Sequence, residues 1–218
     1  LIVGISGGID SSVSSTLSAM TGLKTIVLSM PIKQKSEQHD LSLKHQEWLV
    51  KKFNNVEAHT VNLDKLFEIF ENSLSKFDSN LGMANSRARL RMVTLYQVAT
   101  ANKGIVVGTG NKVEDFGVGF YTKYGDGGVD ISPIADCNKT EVWEIGKELD
   151  ILKEIIDAVP TDGLWDDGRT DEGQLGLKYK ELEEAMNNIN SPNREKYERI
   201  RKMNLHKMEP IPVCKIPN

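Results

Sequence analysis

The apolar positions of the chain fall in short blocks whose period changes from block to block. Leu1–Ile5 is a continuous apolar run, the mark of a short buried strand. Val13, Leu17, Ala19 and Met20 give Ser11–Thr21 the pattern of a close-packed helix, ended at Gly22. Lys24–Met30 predicts a second strand, with Thr-Ile-Val-Leu at its centre and Pro31 as its stop. After the polar stretch Lys33-Gln34-Lys35, Ser36 opens a helix running to Phe53. Val56–Val61 alternates as a third strand, and Leu63–Phe77 is amphipathic at helical spacing. Asp78-Ser79-Asn80 breaks the pattern. Met83–Asn102 predicts a long helix carrying Arg87, Arg89 and Arg91. Ile105–Val107 is a fourth buried strand that runs into Gly108-Thr109-Gly110-Asn111.

The second half is less regular. Gly117–Asp130 reads as a loop and Ile131–Ile134 as short and extended. Asn138 with Glu141 has the spacing of a helix start, with the helix reaching Leu149. Ile151–Val159 predicts another helix. Pro160–Gly173 is a Gly-rich loop holding Asp162, Asp166, Asp167, Asp171 and Glu172. Helices follow over Leu177–Asn187 and Pro192–Lys207, and the tail Pro210–Asn218 reads as extended. Strand and helix alternate through the first half, which predicts an α/β fold: a doubly wound, Rossmann-like parallel sheet with helices on both faces. Such sheets bind ligands at the carboxyl ends of their strands. The Gly-containing turns after Ile5 and Val107 both fall there and can line one crevice. No repeat or linker divides the chain, so residues 1–218 are expected to form a single domain. The sequence starts inside a strand without an initiator Met, so a natural N-terminal segment is expected to be missing.

Charge narrows the partners. A net charge of −4 argues against nucleic acid as a main partner, and it requires any nucleotide site to be made locally positive. No apolar run approaches the ~20 residues of a membrane span, and no signal peptide is visible, so no membrane partner is expected. Cys137 and Cys214 form no framework, so a reducing cytoplasm is expected.

The chemistry concentrates in Ser6-Gly7-Gly8-Ile9-Asp10-Ser11. Two glycines permit a positive-φ turn and remove any Cβ between backbone and ligand. The N–H groups that open the following helix lack intrahelical partners and lie at its positive end. The turn is thus suited to phosphate or pyrophosphate, with Ser6 and Ser11 adding hydroxyls. Asp10 would repel a phosphate unless a divalent cation lay between them. The pattern is neither GxxxxGK[ST], since no lysine follows the glycines, nor GxGxxG. Glu114, beyond the fourth strand, could share Mg²⁺ with Asp10. At ~100° per residue Arg87 and Arg91 share a helix face while Arg89 points ~200° away, so the three cannot meet one ligand. Lys123–Asp130 is too Gly-rich and charged to be core. Lys139 stands at a helix start, where a cation opposes the dipole. Such local conflicts are often functional, and here the lysine could reach a bound phosphate. The four histidines show no zinc spacing, and no nucleophilic triad can be assembled.

Ser-Gly-Gly-x-Asp-Ser resembles the loop of the N-type ATP pyrophosphatases, which cleave ATP between its α and β phosphates. Further stretches sharpen this. They are Arg-Ala-Arg-Leu-Arg-Met (87–92), Val-Gly-Thr-Gly-Asn-Lys-Val-Glu (107–114), Thr-Lys-Tyr-Gly-Asp-Gly-Gly-Val-Asp (122–130), Asn-Lys-Thr-Glu (138–141), Val-Pro-Thr (159–161) and His-Lys (206–207). With them the chain resembles the ammonia-dependent NAD synthetases from Ile2 to Lys207.

The resemblance implies an adenine nucleotide alpha-hydrolase-like fold and a set of roles. Gly4, Ile5, Ser6, Gly7, Gly8, Ile9, Asp10 and Ser11 would cradle the ATP phosphates, with Thr109, Lys139 and Thr161 also on ATP. Asp10 and Lys139 would be catalytic, and Asp10 and Glu114 would hold Mg²⁺. Arg89, Lys123, Asp130, His206 and Lys207 would hold nicotinic acid adenine dinucleotide (deamido-NAD). The implied reaction adenylates the nicotinate carboxylate and then displaces AMP with ammonia. A homodimer with the dinucleotide at its interface is implied, and Pro160–Gly173 is expected to act as a lid. Some family members carry a glutaminase domain; the chain has no room for one, so free ammonia is expected. Two other readings stay open: another amide- or sulfur-transferring ATP pyrophosphatase, and a non-catalytic nucleotide sensor. The acidic balance weighs against a tRNA-modifying version of the first, and the pair Asp10 and Glu114 weighs against the second.

Overall fold

The alternation of strand residues accounts for two separate cores. In the computed structural model, which describes residues 1–34, 36–165 and 168–216, four parallel strands form one sheet. They are β1 (Ile2–Gly4), β2 (Thr25–Ser29), β3 (Val56–Thr60) and β4 (Val106–Val107). Side chains alternate across a strand. Ile2, Ile26, Leu28 and Val106 therefore share one face, where they pack with Phe67 of α3 (Asp64–Ser73) and Met92, Leu95 and Ala99 of α4 (Asn80–Ala101). Val3, Val27 and Val107 share the other face, with Ala19 of α1 (Ile9–Met20) and Leu49 of α2 (Ser36–Lys52). This is the doubly wound parallel sheet expected from the pattern.

The strand order is β3-β2-β1-β4. From β1 the chain winds outward through β2 to β3, then returns to add β4 on the other side of β1. The winding reverses between β1 and β4, and a crevice opens at their carboxyl ends. Of the stretch 131–134, expected to be short and extended, Ile131 makes one parallel bridge with Val107.

The second half builds a cap on this end. α5 (Lys139–Glu148) packs on α1 through Val142, Ile9 and Val13. The fit is close at Gly146, where an added Cβ would lie 2.6 Å from Ile9. α6 (Lys153–Ile156) and α7 (Asp171–Leu175) are short; α8 (Tyr179–Asn187) and α9 (Arg194–Met208) are longer. Leu182 and Tyr197 of the last two meet Val113 and Val118 of a π-helical segment, Lys112–Val118.

Several boundaries differ from expectation. α1 starts two residues early because Gly8 is its N-cap, which puts Asp10 in its first turn. α4 starts at Asn80 because the Ser79 hydroxyl accepts from Gly82 N–H at 3.1 Å; the polar break is a cap. The helix expected over 151–159 shrinks to α6, squeezed between Asp150 at φ 58° and Pro160, which disfavours helical backbone before it. The loop expected from Gly117 begins inside the π-helical segment. The acidic loop ends in α7, capped by the Thr170 hydroxyl. The expectations for Lys35, Asp166, Asp167, Pro217 and Asn218 lie outside the described residues.

Candidate active site

The turn after β1 is braced by its own hydroxyls. Gly7 takes φ 89°, a conformation that favours glycine. Ser11 Oγ accepts from Ser6 N–H at 3.2 Å and donates to the Gly8 carbonyl at 3.0 Å. Ser6 Oγ accepts from Gly8 N–H at 3.2 Å. Gly4 to Ser11 all line the crevice, and the first turn of α1 brings its unpaired N–H groups there.

Beside this turn sits a buried polar centre assembled from five parts of the chain. Lys139, at the first position of α5 and 2% exposed, places Nζ 2.5 Å from Asp10 Oδ2 and 2.9 Å from Glu114 Oε1. Asn111 holds both acids: its Nδ2 donates to Asp10 Oδ1 at 3.0 Å, and its Oδ1 accepts from Val113 and Glu114 N–H at 3.1 Å. Tyr179 Oη, from α8, lies 2.5 Å from Glu114 Oε1 and 3.1 Å from Asp171 Oδ2. The helix start at Lys139 is secured by Glu141, whose carboxylate accepts from Asn138 N–H at 2.7 Å.

The electrostatics are those of a crevice with too few cations. Burial works against the charge on Lys139, but Asp10 and Glu114 more than reverse this, and the ammonium holds its proton beyond the ordinary lysine range. Burial raises Asp10, with the neighbouring Glu114 charge adding to it and Lys139 opposing. Glu114 also meets the burial penalty, but Lys139 and the Tyr179 hydroxyl outweigh it and draw its carboxyl below the usual range. Among the described residues Asp115 has no such partner. Burial, followed by the charges of Asp126, Glu114 and Asp10, pushes it up to about 8. Burial and Glu114 push Asp171 up to about 7. Asp126 lines the crevice as an exposed residue, and its carboxyl is also raised, first by the loss of solvent around it.

The donors fit a divalent cation. Two carboxylates already converge on a single cationic point, the Lys139 ammonium. Among the described residues no group of three or more His, Cys, Asp or Glu could hold a metal ion. A metal here would therefore take its remaining oxygens from phosphate and water, as Mg²⁺ commonly does.

The other expected residues divide into two groups. Thr109 and Thr161 line the crevice with the loop. Arg89, Lys123, Asp130, His206 and Lys207 do not line it. Three of them form a chain, in which Arg89 Nε donates to the Lys123 carbonyl at 3.3 Å and Lys123 Nζ to the His206 carbonyl at 2.8 Å. Lys207 Nζ donates to the carbonyls of Gly119 and Tyr121 at 2.9 and 2.7 Å. Asp130 accepts from Val106 N–H and Tyr96 Oη, at the edge of β4. The helical-wheel geometry holds: Arg87 is buried and Arg91 faces the crevice, while Arg89 is exposed on the far side. Arg91, Asn111, Asp115, Asp171 and Tyr179 are members of the site that the sequence reading did not assign.

A phosphate-type turn on β1, an acid after β4 and a crevice at the switch point define a nucleotide-binding α/β enzyme. The NAD synthase family model matches residues 1–216. An ammonia-dependent NAD synthetase of Carboxydothermus hydrogenoformans is 38% identical over 188 residues, 84% of this chain and 74% of that protein. One from Alkaliphilus oremlandii is 37% identical, over 99% of this chain and 89% of its own. Among solved structures, an NMN synthetase from Francisella tularensis aligns with a TM-score of 0.88 and 34% identity, covering 100% of this chain and 88% of that one. An ammonia-dependent NAD synthetase from Campylobacter jejuni shares the fold, with a TM-score of 0.78 at 21% identity over 98% of this chain and 89% of that one. The chain belongs to the NAD synthase family. It is a ligase that forms a carbon–nitrogen bond in making NAD, with ammonia as nitrogen source and ATP as co-substrate.

Proposed function

We propose that the crevice adenylates the nicotinate carboxylate of deamido-NAD and presents the adenylate to ammonia. One observation carries this reading: Asp10, Lys139 and Glu114 meet beside the Gly7-Gly8 turn, at the point where the sheet reverses. In the first step a carboxylate oxygen bonds to the α-phosphorus, and the bond from that phosphorus to the bridging oxygen breaks, releasing pyrophosphate. In the second, ammonia bonds to the carboxyl carbon, the bond to the AMP oxygen breaks, and the nitrogen loses a proton to leave the carboxamide. Both reacting anions repel, so the residues around them must supply positive charge and alignment.

The first-turn N–H groups of α1 and the Gly7-Gly8 backbone would bind the leaving phosphates. Arg91, whose Nε is anchored on the Met30 carbonyl at 3.0 Å, would add a fixed cation from the opposite wall. Lys139 would hold Asp10 and Glu114 in register and turn toward phosphate when ATP enters. Thr109 and Thr161 would contact ATP. Mg²⁺, held by Asp10 and Glu114, would neutralise charge on the triphosphate.

The group Arg89, Lys123, Asp130, His206 and Lys207 would hold the dinucleotide outside the crevice. Leu66 and Ile69 of α3, Phe77, and Leu81 and Val93 of α4 are exposed apolar side chains, and they support a homodimer. Free Cys137 and Cys214 support a reducing, cytoplasmic setting. No helix among the described residues is long and apolar enough to cross a membrane. The crevice measures about 280 Å³, and residues 158–164 form one of its walls. Ligand pockets run from roughly 300 to 1,000 Å³, so this loop would open for ATP and close over it.

The likeness to the Francisella NMN synthetase favours a second acceptor, nicotinic acid mononucleotide. The bonds made and broken are the same, since the second nucleotide is remote from the carboxylate. Turnover with Mg-ATP and ammonia, with each acceptor in turn, tests both readings. NAD, AMP and pyrophosphate from deamido-NAD support the first, and a comparable kcat/KM with the mononucleotide supports the second. ADP and phosphate as products, or no turnover, would sink the adenylation mechanism.

A further inference from the structure

The start of α5 carries a cation at the end where the helix dipole disfavours one. Lys139 is its first residue and Thr140 its second. The Thr140 N–H is among those that an α-helix leaves unpaired at its start. Here it donates to Glu183 Oε1 at 2.9 Å, and the Thr140 hydroxyl donates to Glu183 Oε2 at 2.8 Å. One carboxylate of α8 thus takes both donors of Thr140. It also brings negative charge to the positive end of α5, which offsets the conflict at Lys139. The bond from Asn138 N–H to Glu141 is local to α5, whereas Glu183 lies 43 residues away in sequence and fixes α5 against another helix.

The same side of α8 reaches the other end of Lys139. Tyr179 and Glu183 are four residues apart on α8 and share one face of it. The Tyr179 ring centroid lies 4.8 Å from Lys139 Nζ, a cation–π contact, and the ring meets Trp143 edge-on at 5.9 Å. α8 therefore holds Lys139 twice, at the ammonium through an aromatic face and beside the backbone through a carboxylate. A lysine stem is flexible. Where Nζ can go is set by where its backbone is held.

We propose that Glu183 is a positioning residue for Lys139. It fixes the first turn of α5 on α8, so that the ammonium lands between Asp10 and Glu114 and swings from a constant origin when a phosphate enters. Glu183 touches neither acid and does not line the crevice. Its effect on the reaction passes through Thr140 and Lys139. This rests on reading Lys139 as a residue of the ATP site.

Glu183→Ala, Glu183→Gln and Thr140→Val in the full chain test it with two readouts. One is the split between kcat and KM for deamido-NAD in NAD formation. The other is acetylation of Lys139 by acetic anhydride in the substrate-free protein, read by mass spectrometry against Lys51, whose side chain is 80% exposed. In the parent Lys139 should label slowly, since its side chain is 2% exposed and ion-paired. Glu183→Ala is expected to lower kcat about tenfold, with KM for deamido-NAD unchanged, and to speed Lys139 labelling by a similar factor, the size of a hydrogen bond to a charged group. Glu183→Gln should restore both readouts to within about threefold of the parent, because its amide can accept from the Thr140 N–H and donate to the Thr140 hydroxyl oxygen. Thr140→Val keeps the N–H bond and the side-chain shape, should give about a threefold effect on each readout, and carries the test if Glu183→Ala does not fold. Parent-like labelling and kcat in Glu183→Ala and Thr140→Val would overturn the proposal. So would Glu183→Gln behaving like Glu183→Ala, or a loss that falls on KM with kcat kept. The labelling readout needs no turnover, so it stands even if the parent protein makes no NAD.

Discussion

At the scale of residues the site depends on one buried lysine between two acids. Removing a single partner from such a group leaves an uncompensated charge, which typically costs about 3–5 kcal/mol. Asp10→Asn is milder, because Lys139 keeps Glu114 at 2.9 Å and the amide retains the shape of the acid. It should lower NAD formation by at least about 100-fold, since a neutral amide cannot replace a metal-binding carboxylate. Circular dichroism and the melting temperature should stay close to those of the parent. Near-normal turnover would remove the role assigned to Asp10. Asp10, Glu114 and Lys139 were legible in the sequence because each has a local signal: a Gly-Gly turn, a buried strand end, and a cation at a helix start. Tyr179 carries no such signal, since a tyrosine on an amphipathic helix reads as core. Its partner Glu114 lies 65 residues away in sequence, and the link exists only after folding.

Among the elements, α1 and α2 carry a built-in acid sensitivity. His45 of α2 is fully buried, stacked on Trp48 at 5.4 Å, with Nε2 3.0 Å from Ser15 Oγ of α1. Burial lowers its pKa to about 4, despite a contact with the Ser12 carbonyl that works the other way. The unfolded imidazole takes a proton near pH 6.5 and the folded one only near 4, so between these values the unfolded state binds more protons. The contribution is full above about pH 6.5 and is lost as pH falls toward 4. Between pH 7.5 and 5 the loss should be about 2 kcal/mol, at 1.36 kcal/mol per pKa unit. Denaturant unfolding at the two pH values checks it, with His45→Gln expected to lose less than the parent. Equal losses in both proteins would rule out His45 as the source. The first four strands and the helices between them were legible because their periods are clean and Pro31, Gly22 and Lys103-Gly104 punctuate them. The π-helical segment was not, because Gly117 and the Gly119 that caps its end resemble loop punctuation while it packs on Tyr197 and Leu182 far along the chain.

For the whole molecule, fold and chemistry meet at the reversal of the sheet between β1 and β4. The doubly wound sheet followed from alternation, and with it the expectation that both turns line one crevice. The separation of the Arg89, Lys123 and His206 group from that crevice did not follow, because sequence spacing says nothing about which side of a wall a loop ends on. That group and the exposed Leu81 and Val93 lead to an assembly test. The parent should sediment as a dimer at micromolar concentration, and Leu81→Glu with Val93→Glu should shift it to monomer. A monomeric parent would count against the interface. The central claim concerns the α-phosphorus, and isotope transfer addresses it most directly. With deamido-NAD labelled by ¹⁸O in its nicotinate carboxylate, one labelled oxygen should appear in the AMP released alongside NAD. Unlabelled AMP, or label found in inorganic phosphate, would contradict adenylation of the carboxylate.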